Sequence, residues 1–187
     1  MYTEKQVWDP LTRVCHILLI LTVVGGWLIG EFRTFSIMQW HFYCGYATGG
    51  LVLFRIIRGF SGPTEIRFSS LLHSPHNILR YAATLTNKQP SGTPGHNPLG
   101  SLFILLIVAA LAGQVVTGLF SKDDALFFSG PLASFVSEST VLSVTSLHNL
   151  NSTVILVLVG VHVTAILFYW VWKKENLIKP MITGKKK

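Results

Sequence analysis

The sequence has few charged residues. Only 12% of its 187 residues are Asp, Glu, Lys or Arg, against about 25% in an average soluble domain. With a 50% hydrophobic content and a mean hydropathy of +0.50, this excludes a disordered chain and argues against a soluble globular protein. Cysteine is also scarce. The sequence has only Cys15 and Cys44, so neither a disulfide framework nor a zinc motif is present. A membrane protein with a single domain, residues 1–187, is therefore predicted.

Long apolar runs, by contrast, are abundant. A membrane-crossing helix needs about 20 mostly apolar residues. Three segments meet this easily, and a fourth is weakened by His41, Arg55 and several glycines. The first segment is interpreted as a retained helix, since no A-x-A-like cleavage site follows it. The sequence therefore predicts an all-α integral membrane four-helix bundle with helices at about residues 14–30, 38–57, 99–120 and 147–172.

Basic residues are distributed unevenly among the predicted loops. Thirteen of the fifteen lysines and arginines lie before the first helix, at the end of the second helix and in the loop after it, or in the C-terminal tail. Only Arg33 and Lys122 lie in the other loops. Cytoplasmic loops carry such an excess of Lys and Arg, so both termini are predicted to be cytoplasmic, as four crossings also require. The net charge of +7 then reflects topology rather than a nucleic-acid partner.

Four of the seven histidines lie in the predicted membrane helices, where an ionisable residue usually has a function. His148 and His162 are fourteen residues apart, so they share one face of the fourth helix and are about 21 Å apart along its axis. In the predicted orientation, His16 matches the depth of His162 near the cytoplasm. His41 likewise matches the depth of His148 near the outer face. Two histidines that face each other across a bundle can hold one haem iron from both sides.

These pairs predict two haems, a cytoplasmic-side haem held by His16 and His162 and an outer-side haem held by His41 and His148. The haems would be b-type and non-covalently bound, because the sequence has no C-x-x-C-H motif. The alternative is that each histidine is a hydrogen-bonded core residue between helices. Zinc or copper is disfavoured, because each pair lacks further ligands.

Other residues near the pairs have two interpretations each. Arg13 and Arg55 could pair with the haem propionates at the cytoplasmic edge, or anchor their helices at the membrane interface. Small residues could give room for a flat haem macrocycle or allow close helix packing. These small residues are Gly45, Gly49, Gly50, Gly113, Gly118 and Gly160.

Several motifs resemble those of a known family, the bacterial membrane cytochromes b of the b561 type, which include the cytochrome b subunits of nickel–iron hydrogenases. The motifs are VWDPLTRVCH (residues 7–16), HFYCGY (41–46), GHNPLGSL (95–102), GLFSKDDALFFSGPLA (118–133) and the spacing of His148 and His162. The resemblance covers nearly the whole chain. It implies that the four matching histidines are the axial ligands of two b haems, the same set that the helical spacing predicts.

The resemblance also implies a quinone. The similar cytochrome b subunit of membrane formate dehydrogenase has a quinone near the cytoplasmic haem, beside an Asn of the loop between helices 2 and 3. Asn97 is the loosely matching position, and the alternative is an ordinary turn residue before Pro98. His96, beside it, could relay protons at its ordinary pKa of about 6.5.

The resemblance leads to two candidate functions. The first is a multi-pass electron carrier of the bacterial inner membrane, acting between the quinone pool and a periplasmic c-type cytochrome or dehydrogenase or hydrogenase subunit. The second, found in some short members of the family, is superoxide oxidation with quinone as electron acceptor. Two outer basic residues against four acidic ones disfavour that anionic substrate. A haem-free membrane anchor and an oligomer are also compatible with the sequence. The acidic outer loop, with Asp123, Asp124 and Glu138, could dock a basic partner or simply be solvated.

Overall fold

The computed structural model of the protein describes residues 5–92 and 95–186. The chain is mostly helical (72%), which confirms the helical class predicted from the sequence. The four long helices are α1 (Pro10–Glu31), α2 (Met38–Ser61), α5 (Pro98–Phe120) and α6 (Glu138–Val171). The short helices are α3 (Phe68–Leu71), α4 (Pro75–Ala82) and α7 (Ile178–Thr183), and single 3-10 turns occur at Thr64–Ile66 and Ala133–Phe135.

Three of the long helices, α1, α5 and α6, are long and apolar enough to cross a membrane. Helix α2 has 24 residues, which is also long enough, since about 20 residues span the hydrocarbon core. Its polar residues, among them His41, Arg55 and Arg58, make it less apolar than the other three. The crossing by α2, and with it the four-helix bundle, stays a prediction.

The helices α1 and α6 begin earlier than the predicted spans, and the side chain of Asp9 caps α1. Asp9 precedes Pro10, and its carboxylate accepts hydrogen bonds from the backbone amide and the hydroxyl of Thr12 at 3.2 and 2.6 Å. Burial raises the pKa of Asp9, but these bonds and the charge of Arg58 together hold it below its ordinary value. Helix α6 begins at Glu138, nine residues before the predicted span. Its polar first turns could not be detected by hydropathy.

The chain divides into two compact units, and each is described by itself. The first unit comprises the described residues of Met1–His16, Phe54–Ile107 and Leu158–Lys187. In it, strand β1 (Lys5–Gln6) pairs antiparallel with β4 (Lys185–Lys186). The adjoining Val7 and Trp8 pack against Ile66 in a small apolar core. The described N- and C-terminal ends of the chain therefore lie side by side.

The second unit comprises Ile17–Leu53 and Val108–Val157. After α5, strands β2 (Lys122–Asp123) and β3 (Phe128–Ser129) form a hairpin. The hairpin turns back onto the end of α5 at Gly130, where a Cβ atom would overlap the carbonyl oxygen of Leu119. Only glycine fits this close approach.

The acidic residues of this hairpin are paired within the chain. Asp123 lies 3.1 Å from the guanidinium of Arg33, and Asp124 lies 2.6 Å from the ammonium of Lys122. The hydrogen bond and the charge of Asp124 raise the pKa of Lys122. Two of the three acidic charges expected to meet a basic partner are therefore matched by cations of the protein itself.

Candidate functional site

In the second unit, His41 of α2 and His148 of α6 face each other. Their ring centres are 6.2 Å apart and their planes are inclined at 79°. A bond between an imidazole nitrogen and a metal is about 2 Å long and the ring centre lies about 1.1 Å beyond that nitrogen, so two imidazoles on opposite sides of one iron have centres about 6.3 Å apart. The observed spacing fits two imidazoles that would hold one iron between them.

Backbone carbonyls orient both imidazoles of this pair. Nδ1 of His41 lies 2.9 Å from the carbonyl oxygen of Gly26, and Nδ1 of His148 lies 3.1 Å from that of Gln114. The contacts assign the proton to Nδ1, which donates to the carbonyl. The lone pair then lies on Nε2, the arrangement usual for a metal-bound histidine.

Glycines border both rings. A Cβ atom at Gly30 of α1 would lie 3.1 Å from Cε1 of His41, and one at Gly118 of α5 would lie 3.0 Å from Cε1 of His148. Close packing against His148 therefore explains why position 118 is a glycine. The similar role of Gly30 was not detected from the sequence. Gly45 lies one turn after His41 on the same face of α2, and a Cβ atom there would meet nothing within 4 Å. This open position fits a flat macrocycle beside the imidazole.

Polar side chains of α5 and α6 surround His148. The Gln114 side-chain amide lies 3.1 Å from Nε2 of His148, and the Thr117 hydroxyl lies 3.1 Å from Nδ1. Asn151 donates to the Gln114 side-chain oxygen at 2.8 Å and to the carbonyl of Ala110 at 2.9 Å. For Nε2 of His148 to hold an iron, the Gln114 amide would have to turn away from that nitrogen. The sequence signal that was missed is the presence of polar residues within otherwise apolar spans.

In the first unit, His16 of α1 and His162 of α6 form the other pair. Their ring centres are 6.5 Å apart and their planes are inclined at 61°. Nδ1 of His16 is buried and has no hydrogen-bond partner among the described residues. An unsatisfied buried nitrogen in a native protein indicates a missing partner or ligand, so this pair also fits a bound metal centre.

Three arginines of the first unit have buried nitrogens that lack a hydrogen-bond partner within residues 5–92 and 95–186. The atoms are Nε of Arg13, Nη1 of Arg55 and Nε of Arg58. Arg58 binds Asp9 at 3.1 Å, and the guanidinium of Arg55 lies 5.6 Å from the centre of the Phe68 ring. Carboxylates are the strongest acceptors for guanidinium groups. The arginines therefore fit haem propionates, and Arg58 joins the two that the sequence had singled out.

Asn97 lies directly before α5 and has two roles. Its side-chain oxygen accepts from the amide of Gly100 at 2.8 Å, which caps the helix. Its side-chain nitrogen donates to the hydroxyl of Tyr169 at 3.0 Å, and that hydroxyl lies 2.7 Å from the hydroxyl of Tyr81. Burial, followed by the hydrogen bond to Tyr169, raises the pKa of Tyr81, which keeps it protonated at neutral pH. The sequence alone did not indicate either tyrosine.

His96 is buried against Trp8, with 4.5 Å between their ring centres. Burial and then the positive charge of Arg55 lower the pKa of His96 to about 4, although a hydrogen bond to the backbone of Glu65 acts in the opposite direction. The prediction that His96 titrates at its ordinary pKa is therefore wrong. The imidazole is neutral at pH 7.

The buried neutral His96 is expected to make the fold sensitive to acid. In an unfolded chain histidine titrates at about 6.5, so His96 costs no stability above that pH. Between about pH 6.5 and 4 the unfolded state binds a proton that the folded state does not, which lowers stability by about 2 kcal/mol at pH 5. The melting temperature of His96→Gln in detergent should fall less between pH 7 and 5 than that of the wild type. Equal falls in both proteins would contradict this assignment.

The chain was also compared with known proteins. Residues 7–184 match the family described as prokaryotic cytochrome b561, which confirms the resemblance. No curated protein and no solved structure matches the chain. The matched range contains all four histidines of the two pairs, the three arginines and Asn97.

Proposed function

The chain belongs to the prokaryotic cytochrome b561 family, and from this premise we propose that it carries electrons through two b haems between the quinone pool and a periplasmic redox partner. Membership in the family makes it a membrane cytochrome that binds haem b and transfers electrons. The number of haems, the ligands, the quinone and the partner, a c-type cytochrome or a dehydrogenase or hydrogenase subunit, belong to the proposal.

The observation that carries the proposal is the spacing within the two histidine pairs, 6.2 Å for His41 and His148 and 6.5 Å for His16 and His162. Two imidazoles joined by a direct N–H···N bond of about 2.9 Å would have ring centres only about 5 Å apart. The spacing therefore disfavours a directly hydrogen-bonded core pair. It agrees with one iron between the two rings of each pair.

The residues of the chain have distinct tasks in this proposal. Each pair would hold one iron, and in the His41–His148 pair the Gly26 and Gln114 carbonyls accept from Nδ1, which would leave Nε2 to bind the metal. Arg13, Arg55 and Arg58 neutralise propionates in the first unit. Haem b, when bound, supplies reversible one-electron exchange between ferrous and ferric iron.

The contact between the chain ends supports the proposed topology. Strand β1 is paired with β4, which supports placing the N- and C-terminal segments on the same side of the membrane, with an even number of crossings. Three helices qualify as spans by composition, and an even number of crossings favours α2 as the fourth. The basic residues favour the cytoplasm for both ends. We therefore propose a single domain, residues 1–187, that crosses the bacterial inner membrane four times.

The quinone is proposed to bind beside Asn97. The Asn97 amide and the hydroxyls of Tyr81 and Tyr169 form a hydrogen-bonded cluster in the unit that contains His16 and His162. Quinone carbonyl oxygens accept hydrogen bonds, and amide and phenol groups are suitable donors. The cluster therefore offers a polar end for a quinone head group.

Replacing Asn97 with alanine is expected to slow the re-oxidation of the reduced haems by quinone about tenfold, the effect of losing about 1.4 kcal/mol of interaction. Both haems should remain bound. Stopped-flow absorbance after mixing the dithionite-reduced protein with a short-chain quinone measures the rate.

Two further variants control for the helix cap and for the solvent-exposed surface. Asn97→Ser keeps an oxygen that can cap α5 and lacks the amide donor, so it should be slow as well. Asn77→Ala changes an exposed asparagine of α4 and should react like the wild type. Unchanged quinone kinetics in both Asn97 variants would exclude Asn97 from the site.

The optical spectrum tests the haem proposal directly. The protein purified in detergent should show reduced b-type bands and two haems per chain by the pyridine haemochromogen assay. Absence of these bands would support a haem-free anchor and overturn the proposal. A second stopped-flow experiment with superoxide tests the alternative function. The structure does not favour that function, because Arg33 and Lys122 are paired with carboxylates.

A further inference from the structure

Lys173 is a buried lysine within the basic C-terminal tail. It is only 3% exposed, whereas the next residue, Lys174, is exposed. Its ammonium donates to three backbone carbonyls, those of Thr84 at 3.2 Å, Asn87 at 2.9 Å and Gln89 at 3.2 Å. All three donors of the ammonium are thus used. Burial of a charge costs several kcal/mol unless it is compensated. Three hydrogen bonds compensate the buried ammonium here, which indicates that this contact is a specific part of the fold.

Glu175 binds the same stretch of chain with the opposite charge. It is 7% exposed, and its carboxylate accepts from the amide and the hydroxyl of Ser91 at 2.7 and 2.8 Å. Lys173 therefore binds carbonyl groups and Glu175 binds N–H and O–H groups of residues 84–91. We refer to these two side chains and their contacts as the Lys173–Glu175 clamp.

The clamp joins the two parts of the chain that form the tyrosine cluster. On one side, Tyr169 lies near the end of α6, and the ammonium of Lys173 is 5.9 Å from the centre of its ring. On the other side, residues 84–91 lie in the chain between Tyr81 of α4 and Asn97, which precedes α5. The hydroxyl–hydroxyl distance of 2.7 Å and the amide–hydroxyl distance of 3.0 Å are lost if the loop shifts by about an ångström relative to α6.

We propose that Lys173 and Glu175 are positioning residues that fix residues 84–91 to the end of α6 and so hold Tyr81 and Asn97 against Tyr169 for binding of a quinone head group. The clamp itself rests on the observed contacts. Its role in quinone binding rests on the function proposed above. Loss of the clamp should therefore weaken quinone binding and leave haem binding unchanged.

The test compares neighbouring lysines in the full-length protein in detergent. Lys173→Met removes the ammonium and keeps a long apolar side chain, whereas Lys174→Met removes the same charge from an exposed position. Lys173→Arg is the conservative rescue, since a guanidinium can still donate to carbonyls. Glu175→Gln is a milder variant that stays informative if Lys173→Met does not fold. Hydrogen exchange of the amides of residues 84–91, haem content, and KM and kcat for a short-chain quinol with ferricyanide as the electron acceptor are measured for each variant.

Lys173→Met is expected to exchange at least about tenfold faster across residues 84–91 and to raise KM about tenfold with kcat nearly unchanged, the pattern of lost binding. Glu175→Gln should show the same changes at about threefold. Lys174→Met should match the wild type, and Lys173→Arg should lie between. Haem content should stay at the wild-type value in all four variants.

Three other results would contradict the clamp, its positioning role or the proposed function. Unchanged exchange in Lys173→Met and Glu175→Gln would overturn the clamp. Faster exchange with an unchanged KM would overturn the positioning role. A wild-type protein that does not react with quinol would overturn the proposed function and the positioning role with it, whereas the exchange rates would still decide whether the clamp exists.

Discussion

Replacing His162 with alanine is expected to lower the haem content from two per chain to one. The change removes one of the two imidazoles of the His16–His162 pair, and a non-covalently bound haem then has a single protein ligand left. The His41–His148 pair has its own ring contacts and carbonyl partners, so its haem should remain. Replacing His148 with alanine should remove that haem and keep the other. The pyridine haemochromogen assay, with protein quantified by amino-acid analysis, measures the ratio.

An exposed histidine outside the two pairs provides the matched control for these variants. His76 is exposed on α4, and His76→Ala should retain both haems. The double variant of His148 and His162 should bind none. If either single change leaves two haems or removes both, the two pairs are not independent haem sites and the assignment is wrong.

The pairing could be predicted because it depends only on helix geometry and on the direction of the chain. Fourteen residues place His148 and His162 on one face of a helix, and the charge asymmetry gives the side on which each helix begins. The structure brings together the same partners, His41 with His148 and His16 with His162. Their role as ligands stays a prediction.

The surroundings of the pairs could not be predicted in the same way. The contacts of His148 with Gln114 and Thr117 depend on how α5 is rotated against α6, and no residue period encodes that rotation. Tyr81 and Tyr169 are 88 residues apart in sequence. Lys173 resembles any interfacial lysine until residues 84–91 fold against the end of α6 and supply three carbonyls. Such features depend on tertiary contacts rather than on local patterns.

A bulky side chain at Gly118 is expected to remove the haem held by His41 and His148 although no ligand is changed. A Cβ atom at Gly118 would already lie 3.0 Å from Cε1 of His148, and the branches of a valine extend further. The imidazole is confined on its Nδ1 side by the Gln114 carbonyl and the Thr117 hydroxyl, each 3.1 Å away. The His148 ring can move away from a larger side chain only by breaking its hydrogen bond to the Gln114 carbonyl. Displacement of a ligand by about 1 Å is enough to disable a metal site.

Gly118→Val should therefore contain about one haem per chain, and the smaller Gly118→Ala should retain more of the second haem than the valine variant. Ala47→Val is the control, because Ala47 is exposed on α2 and is not among the small residues considered as room for the haem. Glycine is a poorer helix former than valine, so a loss of haem at position 118 cannot come from weakened helix formation. Two haems in Gly118→Val would mean that the imidazole can move without losing its iron. A graded loss at Gly118 with none at Ala47 would instead assign the effect to crowding of His148.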